Sequence, residues 1–103
     1  MDNNIWANIE TGNKEAYSEA YIFYYKKLMN YGKKITNDTA MIEDTIDEVF
    51  IMIWTKREKL HTILSPPSYI FSSYQFKVNR DYLNAIPLNQ IVLNPQLTQN
   101  PGW

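Results

Sequence analysis

Cysteine is absent from this chain, and glycine and histidine are scarce, with three glycines and one histidine among 103 residues. The lack of cysteine excludes disulfides, thiolate metal ligands and a cysteine nucleophile, and it favours a reducing compartment, which we expect to be the cytoplasm. Three isolated glycines cannot build a loop that cradles nucleotide phosphates. The single His61 lies in one Glu-x-x-His pair, which a di-iron bundle needs twice, so we expect no metal and no cofactor.

Long apolar runs and excess charge are also absent. The longest apolar run, Val49 to Trp54, has six residues, far fewer than the roughly 20 that cross a bilayer. The first four residues lack the basic and apolar stretches of a signal peptide, so we expect neither export nor a membrane partner. Ten basic and eleven acidic side chains give a net charge of −1. Nucleic acid would therefore have to bind at a local patch.

The chain does contain apolar residues at helical spacing, with 45% hydrophobic and 20% charged residues, which is enough for one small core. The spacing and capping residues predict four helices: one over residues 2–10, one from Asn13 to about Lys34, one capped by Thr36 or Asn37 and ending in the basic turn 56–59, and one from Ser65-Pro66-Pro67 to about Asn84. We expect an all-α, small four-helix bundle over residues 1–84 and an uncharged linker or packed tail over residues 85–103.

The third helix carries more apolar residues than one core stripe needs. The stripe itself consists of Ile42, Ile46, Val49 and Ile53. Phe50, Ile51 and Trp54 lie to one side of it, and five carboxylates with no base occupy residues 38–48. Phe50 and Trp54 either pack on the second or fourth helix or form a docking surface for a partner rich in arginine and lysine.

The fourth helix also has two faces. One face groups Ile70, Phe71, Tyr74, Val78 and Tyr82; the other groups Tyr69, Phe76, Arg80 and Leu83, with Lys77 at its edge. Aromatic rings stack on unpaired bases while cations neutralise phosphates, so the second face favours single-stranded nucleic acid. Basic residues at 56–59 and the connecting loop 61–65 would extend this patch. The alternative is that the rings belong to the core and the cations are solvated.

Four groups of residues occur in a characteristic order: Gly12-Asn13-Lys14-Glu15-Ala16-Tyr17, Tyr24-Tyr25-x-x-Leu28, Ile42-Glu43-Asp44-x-Ile46-Asp47-Glu48-Val49-Phe50-x-x-Ile53-Trp54, and Pro67-Ser68-Tyr69-Ile70-Phe71. Over about residues 5–83, this order resembles the second conserved region of bacterial RNA polymerase sigma factors of the extracytoplasmic-function group. The third group is the specific part of the resemblance. The resemblance implies the helical bundle of sigma region 2.

The resemblance also implies a non-enzymatic function in transcription initiation. Such a domain docks on the clamp helices of the largest subunit of core RNA polymerase and captures the melted non-template strand of the promoter −10 element; an anti-sigma factor is a further possible partner. The implied polymerase contacts are Asp44, Asp47, Glu48, Phe50, Ile51 and Trp54. The implied DNA contacts are Lys56, Arg57, Lys59, His61, Tyr69, Phe76, Lys77 and Arg80.

Three departures from the family keep other interpretations open. The Arg-Asn pair that is frequent in the family's fourth helix falls on Gln75-Phe76, and Asp47 stands where many relatives have a glutamine. The family's domain that reads the −35 element has no counterpart in this sequence. We therefore expect either one domain of a longer protein or a truncated product. The alternative function is a protein-interaction module or decoy that binds polymerase or a regulator without binding DNA. A small enzyme using Asp44 and Glu48 is disfavoured, because no histidine, cysteine or metal-ligand set lies beside them.

Overall fold

The computed structural model describes residues 4–86, which fold into helices joined by short connections. The elements are α1 (Ile5–Glu10), α2 (Lys14–Lys33), α3 (Thr39–Thr55), a 3-10 helix (Arg57–Thr62) and α4 (Pro66–Ala85). The predicted all-α bundle is thus confirmed, with no strand in this range. Over the same residues, no helix combines the length and apolarity needed to cross a bilayer. From residue 87 onward, the predicted tail lies outside the described residues.

Side-chain caps begin the three longer helices. The predicted cap of α2 is confirmed, because the Asn13 side chain accepts the N–H of Ala16. Ser65 caps α4, and prolines occupy its first two positions, where a missing N–H costs nothing. The predicted cap of α3 is wrong. Asp38 caps that helix, because its carboxylate accepts the N–H of Met41. The hydroxyl of Thr36, two residues before Asp38, instead accepts the N–H of Asp38.

The core lies where α3 packs between α2 and α4. The predicted stripe of α3 is confirmed, since Ile42, Ile46, Val49 and Ile53 are all buried. Burying these four side chains stabilises the fold by about 1.5–3 kcal/mol each relative to leaving them exposed. The outward side of α3 is consequently fixed by the same helical geometry.

A 3-10 helix follows α3 where a basic turn and a loop are predicted. Leu60 is buried and anchors this segment to the core. The N–H of His61 donates to Glu10 at 2.6 Å, and the Nδ1 atom of His61 lies 3.0 Å from the same carboxylate oxygen. These contacts join the 3-10 helix to α1, and we call them the Glu10–His61 clasp. The predicted loop is therefore shorter and contains only residues 63–65.

Candidate functional site

A row of tyrosines fixes α2 against α3. Their hydroxyls, one helical turn apart, donate to oxygens of α3: Tyr17 to the Phe50 carbonyl (2.6 Å), Tyr21 to Asp47 (2.6 Å) and Tyr25 to Glu43 (2.9 Å). We call this row the tyrosine seam. The donors follow one another toward the end of α2, while their acceptors follow one another toward the start of α3. The two helices are therefore antiparallel, and the three bonds set their register. Two of the acceptors are carboxylates from the predicted acidic surface.

The environment keeps the seam hydroxyls protonated. Burial, followed by the hydrogen bond to Asp47, raises the pKa of Tyr21 far above its ordinary value. Burial also raises the pKa of Tyr17, with the charge of Asp47 adding to it. For Tyr25, the hydrogen bond to Glu43 is the main reason that the pKa is raised. A protonated hydroxyl can donate, so the seam persists at neutral pH.

Phe50 belongs to the core. Only 1% of its surface is exposed, and its ring centroid lies 6.0 Å from that of Tyr17 and 5.2 Å from that of Tyr21. α2 therefore covers Phe50 in this domain, and the polymerase contact expected at this residue stays a prediction. Trp54 is half-buried, with its ring 4.9 Å from Tyr17 and the Arg57 guanidinium 4.3 Å from its centroid. Both rings thus pack on the second helix, as the first of the two interpretations predicts.

Three of the predicted polymerase residues point outward from α3. Asp44, Glu48 and Ile51 are exposed, and at about 100° per residue they fall within an arc of about 60°. Ile51 is 64% exposed, which the packing of this domain does not explain. Asp44 makes no hydrogen bond or ion pair with other residues of the 4–86 range, whereas the exposed Asp47 is held at the edge of this face by Tyr21. We call Asp44, Glu48 and Ile51 the α3 face.

Cations of α4 are paired with the acid of the α3 face. Lys77 and Arg80 lie 3.0 and 3.3 Å from the carboxylate of Glu48. Arg80 also lies 2.9 Å from Asp81, and the hydrogen bond to Asp81 is the main reason that the pKa of Arg80 is raised. Asp81 in turn accepts the Thr45 hydroxyl. Residues predicted to bind two different partners thus neutralise each other, and the expected free cations of α4 are not found.

The predicted cations near the 3-10 helix have different surroundings. Lys56 and Lys59 are exposed and have no ion pair with another residue between 4 and 86. His61 is exposed but held by Glu10 in the clasp. The Arg57 guanidinium lies over Trp54, so it is only half-exposed. Two freely available lysines therefore remain in this part of the predicted DNA surface.

The two predicted aromatic contacts of α4 also differ. The Tyr69 hydroxyl donates to the sulfur of Met52 at 3.7 Å, and the ring is half-buried against the core. Phe76 is 71% exposed and stands on the outer side of α4. Of the two, Phe76 is the ring on which an unpaired base would find an open face.

A groove of about 630 Å³ borders Phe76. Its lining combines two aromatic rings, amides, two hydroxyls and a guanidinium, from Tyr31, Ser72, Gln75, Phe76, Asn79, Arg80, Leu83 and Asn84. Amides can both donate and accept hydrogen bonds, as the edges of bases require. The amides are not among the predicted DNA contacts, although Gln75 and Asn79 are four residues apart and so share one side of α4.

No metal site accompanies these surfaces in the described part of the chain, where no three potential ligand side chains cluster. Within that range, every fully buried side-chain nitrogen or oxygen has a hydrogen-bond partner. Comparison of the chain with protein families, curated proteins and solved structures finds no match.

Proposed function

We propose that this domain is a cytoplasmic, sigma-type module for transcription initiation. It binds the clamp helices of core RNA polymerase through the α3 face. It then holds the melted non-template strand of the promoter −10 element through residues of α4 and the basic residues near the 3-10 helix. Nothing in this proposal requires the domain to make or break a covalent bond.

One observation carries the proposal: some residues of the motif from Ile42 to Trp54 are buried in the domain, and others are exposed on the outside of α3. Its aliphatic stripe and Phe50 are used inside the domain, which leaves Asp44, Glu48 and Ile51 outside. An exposed isoleucine on the same face as two carboxylates suits a basic partner that also offers apolar side-chain stems. The arginine- and lysine-rich clamp helices implied by the resemblance have this chemistry.

The support for DNA binding is the combination of the exposed Phe76 with the amide-lined groove. The groove volume of about 630 Å³ is large enough to admit a nucleobase. A base placed there could stack on Phe76 and hydrogen-bond to Gln75 or Asn79. Lys56 and Lys59 provide separate positive charges that can neutralise phosphates.

A titration against a purified fragment that carries the clamp helices tests the polymerase contact. We expect saturable binding that Asp44→Ala and Ile51→Ala each weaken by about 1–3 kcal/mol, as central interface residues do. Both side chains are exposed, so neither change should unfold the domain. Ile22→Ala is the matched control, because Ile22 is 72% exposed on a different helix. Equal affinity of all four proteins would exclude the α3 face.

The Glu48 ion pairs favour a second candidate, a decoy that binds polymerase without binding DNA. Lys77 and Arg80 are already neutralised, which reduces the charge that α4 offers to phosphates. Binding of a single-stranded −10 oligonucleotide at several salt concentrations separates the candidates. An affinity that falls as salt rises supports the initiation module, whereas polymerase binding without oligonucleotide binding supports the decoy.

A further inference from the structure

The outer side of α2 carries a stripe that the domain itself does not use. Its members, all exposed, are Glu15, Glu19, Ile22, Lys26, Asn30 and Lys33. At about 100° per residue they fall within an arc of about 80°, so they form one straight face of the helix. Ile22 is 72% exposed at its centre, and the neighbouring Phe23 is 43% exposed. We call the six residues of this arc the α2 stripe, and Phe23 lies beside it.

Charge is segregated along the stripe. Both acids lie in the first half of α2 and both lysines in the second half. None of the four forms an ion pair with another residue of the 4–86 range. Acids near the start of a helix and bases near its end favour the helix dipole, but that effect fades within the first and last turns. It therefore accounts for Glu15 and Lys33 and leaves Glu19 and Lys26 unexplained.

We infer that the α2 stripe is a self-association surface on which two copies of this chain meet with their α2 helices antiparallel. A two-fold axis between residues 22 and 23 places Glu19 of each copy opposite Lys26 of the other. It also places Glu15 opposite Asn30 and about one turn from Lys33 at both ends, and it stacks Ile22 and Phe23 around the centre. One helix face thus supplies both halves of a self-complementary contact, as two-fold symmetry requires.

The dimensions indicate a weak, reversible dimer. From Glu15 to Lys33 the helix rises about 27 Å, so the contact is smaller than the roughly 800 Å² per partner of a standard stable interface. We expect a dissociation constant on the order of 0.1–1 mM, as for a small and transient contact. The net charge of −1 offers little overall repulsion to oppose it.

Sedimentation velocity of the full chain over a range of concentrations tests the inference. We expect a monomer–dimer equilibrium that shifts toward monomer as salt is added. Ile22→Ala should weaken self-association at least several-fold. Ile51→Ala is the matched control, since it removes an isoleucine of similar exposure from α3. A chain that stays monomeric at about 1 mM in low salt, or equal weakening by both variants, would overturn the inference.

Charge reversal provides the sharper test. The acid-reversed variant (Glu15→Lys with Glu19→Lys) and the base-reversed variant (Lys26→Glu with Lys33→Glu) should each be monomeric alone, because each stripe then carries one sign. Mixed together they should form a heterodimer, a result that misfolding cannot produce. Asp44→Lys with Glu58→Lys matches the net charge of the acid-reversed variant and should not pair with the base-reversed one. Pairing by this control, or no heterodimer, would contradict the antiparallel contact.

Discussion

Gly32 of α2 lies where side chains of α3 and α4 leave no room for a Cβ atom. The Tyr74 hydroxyl of α4 donates to the Leu28 carbonyl of α2 at 2.7 Å. A Cβ atom at Gly32 would lie 2.5 Å from the Tyr74 oxygen and 2.9 Å from Cγ2 of Ile42. Glycine is therefore required here by space and not by backbone conformation, although alanine is the better helix former.

We predict that Gly32→Ala destabilises the domain by about 1–3 kcal/mol, the usual cost of overpacking. Tyr74→Phe should cost about 1–2 kcal/mol through the lost buried hydrogen bond. The double variant should cost less than the sum of the two, because phenylalanine lacks the oxygen that the new methyl group meets. Urea denaturation of the four proteins measures this. Strictly additive costs would show that the Tyr74 hydroxyl does not limit the space at Gly32.

The tyrosines that join α2 to α3 and α4 make the stability of the domain fall at alkaline pH. Burial raises the pKa of Tyr74 from 10.0 to about 12, and the pKa values of the seam tyrosines are raised as well. Unfolded tyrosines thus lose their protons first as the pH rises. The resulting stabilisation is complete below about pH 10 and is lost as the pH rises toward about 12.

We predict that the urea midpoint falls steeply above about pH 10 and that Tyr21→Phe makes the fall shallower, because one raised hydroxyl is removed. At neutral pH the same variant should be less stable by about 1 kcal/mol. Tyr82→Phe is the control, since Tyr82 makes no hydrogen bond with residues of the described range. A Tyr21→Phe protein with the slope of the unchanged chain would contradict this role of the seam.

Local chemistry decides which of these elements can be predicted from sequence. Asn13 and the Ser65-Pro66-Pro67 step start helices by contacts within a few residues, so they were predictable. The cap of α3 was not, because Thr36, Asn37 and Asp38 are all competent and the choice depends on how the turn after α2 closes. The 3-10 helix depends on the burial of Leu60 by distant segments, which local spacing does not reveal.

At the scale of the whole domain, the surfaces were harder to predict than the core. The stripe of α3 follows from helical periodicity alone, but Phe50 lies beside it and its burial depends on which neighbour α2 brings to that side. Similarly, nothing local indicates that Glu48 faces the cations of α4. Both outcomes are set by the positions of whole helices, which a single sequence leaves open.

Glu48 links the two proposed surfaces, so its removal should affect them in opposite directions. We predict that Glu48→Gln weakens binding to the clamp-helix fragment, because the α3 face loses a charge. The same change should strengthen binding to single-stranded −10 DNA and steepen its salt dependence by about one unit, because Lys77 is released while Arg80 keeps its ion pair with Asp81. Fluorescence anisotropy with a labelled oligonucleotide measures the second effect.

Asp44→Asn is the control for that experiment. It removes an acid from the same face but frees no cation, so DNA affinity should stay constant while polymerase affinity falls. If Glu48→Gln leaves DNA binding unchanged, then Lys77 does not contact phosphates, and the cations of α4 do not belong to the proposed DNA surface.

The Glu10–His61 clasp has a consequence for the order of folding. Its two residues are separated by 51 positions, whereas α2 and α3 are joined by a five-residue connection. Loop-closure entropy rises with loop length, so the α2–α3 hairpin should form well before the clasp closes. During synthesis, α1 is therefore made before the 3-10 helix that holds it through the clasp. The contacts of α1 with α2 can form earlier, whereas its contacts with the 3-10 helix form late, so the clasp should also be an early place for the finished domain to open.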